Sequence, residues 1–87
     1  MSSSVIMYST RFCPYCVRAR SLLQSKGVSF TDISVDGRAD LRREMTQRSG
    51  RRTVPQIWIG DRHVGGFDDL ARLEHRRQLD PLLESVP

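Results

Sequence analysis

The chain has 87 residues, a net charge of +4 and two cysteines, enough for one domain over residues 1–87 and too short for a second folded unit. No apolar run is long enough to cross a bilayer. Met1-Ser2-Ser3-Ser4 leads into a strand-like segment with no basic n-region or cleavage site, so no membrane partner and a cytoplasmic, reducing compartment are expected. The excess arginines, Arg38, Arg42, Arg43, Arg48, Arg51, Arg52, Arg62, Arg72, Arg76 and Arg77, lack interleaved aromatic residues and any nucleic-acid motif. They read as a solvated basic surface that attracts anions or acidic partners, with no nucleic acid expected.

In chain order, the apolar run Val5 to Ser9 predicts a buried strand. A helix follows from about Pro14 to Lys26, with Ala19, Leu22 and Leu23 on one face and Gly27 as its C-terminal stop. Ser29 to Ser34 reads as a second strand with Phe30 and Ile33 buried, which completes a βαβ unit with a right-handed crossover. After the break at Asp36-Gly37, Leu41 and Met45 mark one face of a second helix that Gly50 ends. Gln56-Ile57-Trp58-Ile59, the turn Gly60-Asp61 and Arg62-His63-Val64 predict a β-hairpin, with Trp58 there for packing. Gly65-Gly66 punctuates it. Asp68 is the expected N-cap of a third helix carrying Leu70 and Leu73 and ending near Arg77, and Leu79, Leu82 and Leu83 form a last helical turn before an unstructured end. The sum is an α/β chain in βαβαββα order, a four-stranded mixed sheet with flanking helices.

The chemistry concentrates at Cys13-Pro14-Tyr15-Cys16, between the first strand and the first helix. A thiol at a helix N-terminus sees unpaired N–H groups and the positive end of the helix dipole, which favour thiolate. Cys13 is therefore the expected nucleophile and Cys16, one turn on, its disulfide partner; Pro14 suits the first helical position. A structural disulfide across so short a loop constrains little of the unfolded chain. A zinc site would need His63 and His75, which have no ligand partner nearby and read as surface residues. A redox C-x-x-C of thioredoxin type fits the surrounding pattern better, with no metal expected.

Cys13-Pro14-Tyr15-Cys16, then Thr53-Val54-Pro55, then Gly65-Gly66-Phe67-Asp68-Asp69, in that order, resemble a dithiol glutaredoxin of the small bacterial glutaredoxin 3 type. The likeness runs through Ser25-Lys26-Gly27-Val28, Arg48-Ser49-Gly50-Arg51 and Asp80-Pro81-Leu82-Leu83. It implies a thioredoxin fold and glutathione-dependent reduction of protein-glutathione mixed disulfides and protein disulfides by Cys13 and Cys16. Glutathione is then the reductant and co-substrate. The implied partners are glutathionylated or disulfide-bonded proteins, ribonucleotide reductase among them, with glutathione reductase and NADPH acting indirectly on a monomer.

The resemblance also implies a glutathione site. A cis bond before Pro55 would turn the Val54 backbone towards the sulfur, to pair with the cysteinyl residue of glutathione as a strand pairs at an edge. Thr53 borders it, Tyr15 shapes the wall, and Gly66, Phe67, Asp68 and Asp69 would hold the γ-glutamyl end at a helix N-terminus. Arg42 is the position matching a cation for the glycine carboxylate. A lysine usual three residues before the first cysteine is replaced by Thr10, and Arg11 beside it is the expected compensation. Two other readings stay open: a redoxin fed by thioredoxin reductase, and a carrier of a glutathione-ligated [2Fe-2S] cluster.

Overall fold

A computed structural model describes residues 4–86. The expected readings at Met1-Ser2-Ser3 and at Pro87 lie outside that range. Its elements are β1 (Val5–Ser9), α1 (Pro14–Ser25), β2 (Thr31–Ser34), α2 (Ala39–Ser49), β3 (Gln56–Ile59), β4 (Arg62–Gly65), α3 (Phe67–His75) and α4 (Leu79–Glu84). The sheet order is β2-β1-β3-β4, with β1 parallel to β2 and antiparallel to β3, and β3 antiparallel to β4. This is the expected mixed sheet. Its central pair, β1 and β3, is apolar because it is covered on both sides, as strands inside an α/β fold must be.

Strand alternation divides the interior into two clusters. Val5 and Met7 of β1 with Ile57 and Ile59 of β3 point to Ala19 and Leu23 of α1, Leu70 and Leu73 of α3, and Leu79 and Leu83 of α4. Tyr8 and Trp58 point the other way, to Val35 and to Met45 of α2. Trp58 packs, as expected, with its ring edge-on to Tyr8 at 5.4 Å.

Two boundaries and two burial assignments differ from what the sequence predicts. β2 begins at Thr31 rather than Ser29; it is an edge strand with a ladder on one side only, so its ends are held weakly. Phe30 and Ile33 are half-buried rather than buried, and they serve opposite faces of the sheet. α3 starts at Phe67 with Gly66 as its N-cap, because the Asp69 carboxylate reaches back to the Gly66 N–H at 2.9 Å; Asp68, the expected cap, is an exposed residue of the first turn. His63 is half-buried against Trp58 rather than on the surface. α1 ends as expected: Lys26 caps it and Gly27 takes a φ of 70°, a left-handed turn that glycine adopts without strain.

Candidate active site

Cys13 is the N-cap of α1, one position before the helix, and its sulfur accepts the Cys16 N–H at 3.3 Å. That bond satisfies one of the donors a helix leaves free at its start, and Pro14 follows at a position where no donor is needed. Both cysteines are free thiols, Cys13 half-buried and Cys16 buried. Burial pushes the Cys16 thiol up to about 11, helped by Cys13 beside it and opposed by hydrogen bonds from the backbone and hydroxyl of Thr10. The two sulfurs are therefore unequal: one reachable, one covered and protonated at neutral pH.

The Val54–Pro55 bond is cis. The Cys13 thiol lies 3.8 Å from the Val54 carbonyl, towards which it donates. Beyond Val54 opens a cavity of about 340 Å³, lined by Tyr15, Arg51, Thr53, Val54, Pro55, Gly66, Phe67, Asp68 and Asp69. α1 contributes Tyr15, the segment before β3 contributes Arg51 and Thr53 to Pro55, and Gly66 with the start of α3 contributes the rest. Segments remote in sequence thus meet beside Val54, whose carbonyl faces the Cys13 sulfur.

The far end of the cavity is charged. Asp69 Oδ2 sits 3.0 Å from Arg51 Nη1. Burial alone would raise the Asp69 carboxyl, but the Gly66 N–H, Arg51 and Arg72 outweigh it and hold the group below the usual carboxylate range. Gly65 is required here: its φ is 117°, and a Cβ would fall onto the Asp69 carboxylate and the Arg51 guanidinium. At the mouth, Phe12 is 87% exposed, and Tyr15 and Val17 are exposed as well.

The structure does not bring every expected residue into this cavity. Arg42 lines a neighbouring depression with Ala39, Arg43, Thr46 and Arg52. Arg11 is exposed, its backbone N–H bound to Asp36 at 2.7 Å and its guanidinium over the Phe12 ring at 5.9 Å. The cation that does line the cavity is Arg51, expected among the surface arginines and in the family-like stretch Arg48-Ser49-Gly50-Arg51 but not in the glutathione site. Its signal was its place, two residues before Thr53-Val54-Pro55. Among the described residues no cluster of acidic, histidine and cysteine side chains is built to hold a metal ion, and no helix is long and apolar enough to cross a membrane.

Comparison with known proteins is consistent with this geometry. A family model described as Glutaredoxin matches residues 5–64. The chain is 55% identical over 82 residues to Glutaredoxin 3 of Escherichia coli strain K12, covering 94% of this chain and 99% of that one. It is 54% identical over 81 residues to a glutaredoxin of Pseudomonas aeruginosa, covering 93% and 96%. A crystal structure of a buckwheat glutaredoxin-glutathione complex superposes with a TM-score of 0.88 at 29% identity, covering 95% of this chain and 78% of that one.

Proposed function

The chain belongs to the glutaredoxin family, a thiol-disulfide oxidoreductase of thioredoxin fold, and from that premise we propose that glutathione feeds its reaction at Cys13. The observation that carries the reading is the cavity itself, with the Val54 carbonyl facing the Cys13 sulfur and an anion-cation pair in its wall. Glutathione is a peptide with a thiol in the middle and charges at both ends. Its cysteinyl backbone fits the Val54 edge, its γ-glutamyl carboxylate the N–H groups at the start of α3, and its ammonium Asp69. The buckwheat relative in complex with glutathione supports the same assignment.

In the proposed reaction, the Cys13 thiolate attacks the glutathione-side sulfur of a mixed disulfide. A Cys13–glutathione bond forms, the protein–glutathione bond breaks, and the protein thiolate leaves and takes up a proton. A second glutathione thiolate attacks that bond, releases Cys13 and departs as oxidised glutathione, which glutathione reductase returns to the thiol at the expense of NADPH. With a protein disulfide, Cys13 bonds to one substrate sulfur and expels the other as a thiolate; Cys16 then gives up its proton and attacks the Cys13 sulfur, the first substrate sulfur leaves and takes up a proton, and a Cys13–Cys16 bond remains for two glutathiones to reduce. The exposed Phe12 and Tyr15 at the mouth offer the substrate protein an apolar landing. Arg51 supplies the cation within the cavity, and Arg42 and Arg11 act from outside it. We assign the reaction to the reducing cytoplasm.

The test is turnover of a glutathione mixed disulfide coupled to glutathione reductase and NADPH. Cys13→Ser is expected to abolish it, and Cys16→Ser to keep it while losing reduction of a protein disulfide. Equal loss from both substitutions would refute the division of labour, and turnover with thioredoxin reductase as the sole electron source would replace glutathione as the reductant. Among the cations, Arg51→Ala is expected to raise KM for the glutathionylated substrate about tenfold, the worth of one charge-assisted contact. Arg42→Ala and Arg11→Ala should raise it less. An unchanged KM in Arg51→Ala would remove Arg51 from the site.

A further inference from the structure

Gln56 is the polar member of the otherwise apolar strand β3, and it is 0% exposed. A buried amide is tolerated only when its donors and acceptor are paired. Its Nε2 donates to the Thr53 carbonyl at 3.0 Å and reaches the Thr53 hydroxyl at 3.3 Å. Its Oε1 meets Nε2 of His63 at 2.8 Å. Because an amide oxygen only accepts, His63 must carry a proton on Nε2. Among the described residues no buried side-chain nitrogen or oxygen is left without a partner.

The sheet builds this arrangement from both strands. Alternation puts Gln56 and Trp58 on one face of β3. The register of β4 shifts between Ile57 and Trp58, pairing Ile57 with Gly65 but Trp58 with His63. The tight turn between Ile59 and Arg62 sets the imidazole opposite the indole, the two rings 4.7 Å apart and tilted by 34°. A valine or isoleucine at position 56 would serve packing alone without desolvating an amide. What the amide adds is a hold on Thr53, the residue that enters the cavity wall immediately before Val54.

We propose that Gln56 and His63 are positioning residues for the reaction: His63 orients the Gln56 amide, and Gln56 holds the Thr53–Pro55 segment so that the Val54 backbone faces both Cys13 and the glutathionyl group. This rests on the reading that glutathione pairs with Val54. Neither residue touches the reacting sulfur. Each acts through the segment, so its loss should weaken recognition of the glutathionyl group more than the reactivity of Cys13.

The experiment uses the full-length protein. KM and kcat for a glutathione mixed disulfide are measured beside the iodoacetamide alkylation rate of Cys13, which needs no glutathione, and beside Tm. His63→Phe keeps a ring on Trp58 but removes the donor; it should raise KM about fivefold to tenfold, the worth of one buried hydrogen bond, with the alkylation rate little changed. His63→Gln returns an N–H donor and should recover most of the loss. Gln56→Glu keeps the shape but sets a carboxylate against the Thr53 carbonyl, and should raise KM further. Nitrogen NMR should find His63 protonated on Nε2, and the Thr53 and Val54 amide resonances displaced in His63→Phe.

Unchanged KM in folded His63→Phe would overturn the proposal, as would equal loss of KM and alkylation rate, failure of His63→Gln to recover, or a proton on Nδ1 alone. If Gln56→Glu does not fold, the Phe and Gln variants at position 63 decide. Wild-type protein that does not turn over the mixed disulfide would sink the glutathione reading instead; the tautomer and the Thr53 and Val54 resonances would then decide whether His63 holds the segment.

Discussion

Cys16 stands one helical turn behind Cys13, and that turn separates two kinds of sulfur. Burial raises Cys16 from the ordinary 9.0 to about 11, so the folded protein keeps this proton to a higher pH than the unfolded chain does. Above about 9 the unfolded chain sheds the proton first and gains in stability relative to the fold; below that value both states are protonated and nothing changes. The reduced protein is therefore expected to lose stability as pH rises from about 9 to about 11, by at most about 1.4 kcal/mol per pH unit. Urea unfolding at stepped pH checks this, and Cys16→Ala should flatten the alkaline limb. The same sulfur explains what Thr10 does. The sequence shows only that a lysine common in the family is missing there, whereas the fold turns the Thr10 hydroxyl and backbone to Cys16. The cation that lines the cavity is Arg51, brought from elsewhere in the chain.

At the scale of elements, the start of α3 carries the site. Phe67 opens the helix, Asp69 closes back onto the Gly66 N–H, and Arg51 neutralises Asp69 from across the cavity. Gly65 makes room for that contact. Gly65→Ala should cost roughly 2–4 kcal/mol, from a positive φ that alanine resists and from collision with Asp69 and Arg51. Thermal unfolding measures the loss, and KM for glutathionylated substrate should rise with it, because the displaced carboxylate is part of the wall. A substitution that lowered Tm and left KM alone would separate the cap from the site. The Gly65-Gly66-Phe67-Asp68-Asp69 motif was legible as a helix entry, but its exact cap was not. Asp68 and Asp69 are equally good cap formers in isolation, and only the path of the chain out of β4 decides which carboxylate faces a free N–H.

Across the whole molecule the two faces of the sheet are covered unequally. α1, α3 and α4 share one face and bury several leucines, whereas α2 covers the other with Met45 as its buried residue. α2 gains a second hold through polar contacts: the Tyr8 hydroxyl donates to Glu44 at 2.8 Å and accepts from Arg48 at 2.8 Å, and the Arg48 guanidinium lies over Trp58 at 4.7 Å. Burial and the bond to Glu44 raise the Tyr8 phenol, against Arg48. Met45→Ala is expected to destabilise the protein by about 2–4 kcal/mol, and amide exchange should show α2 opening before α1 in the wild type. Exchange at equal rates in the two helices would mean that the polar contacts hold α2 as firmly as the leucines hold α1.

The order of elements and the position of the proposed nucleophile were written in local signals: alternation at Val5–Ser9, helical spacing at Ala19 and Leu23, stops at Gly27 and Gly50, and a cysteine before a helix-starting proline. These depend on neighbours a few residues apart, which a linear reading can see. The identity of the cavity's cation depended on which distant segments meet. Arg51 and Arg42 are nine positions apart in one basic stretch, and nothing local distinguishes them. The sheet does, since β3 carries the chain just before it to the mouth of α3 while α2 carries Arg42 to a separate depression. His63 and Gln56 make the same point from inside. Each looked ordinary in its strand until the β3–β4 hairpin set the ring against the amide, and through the amide against the residue that borders Val54.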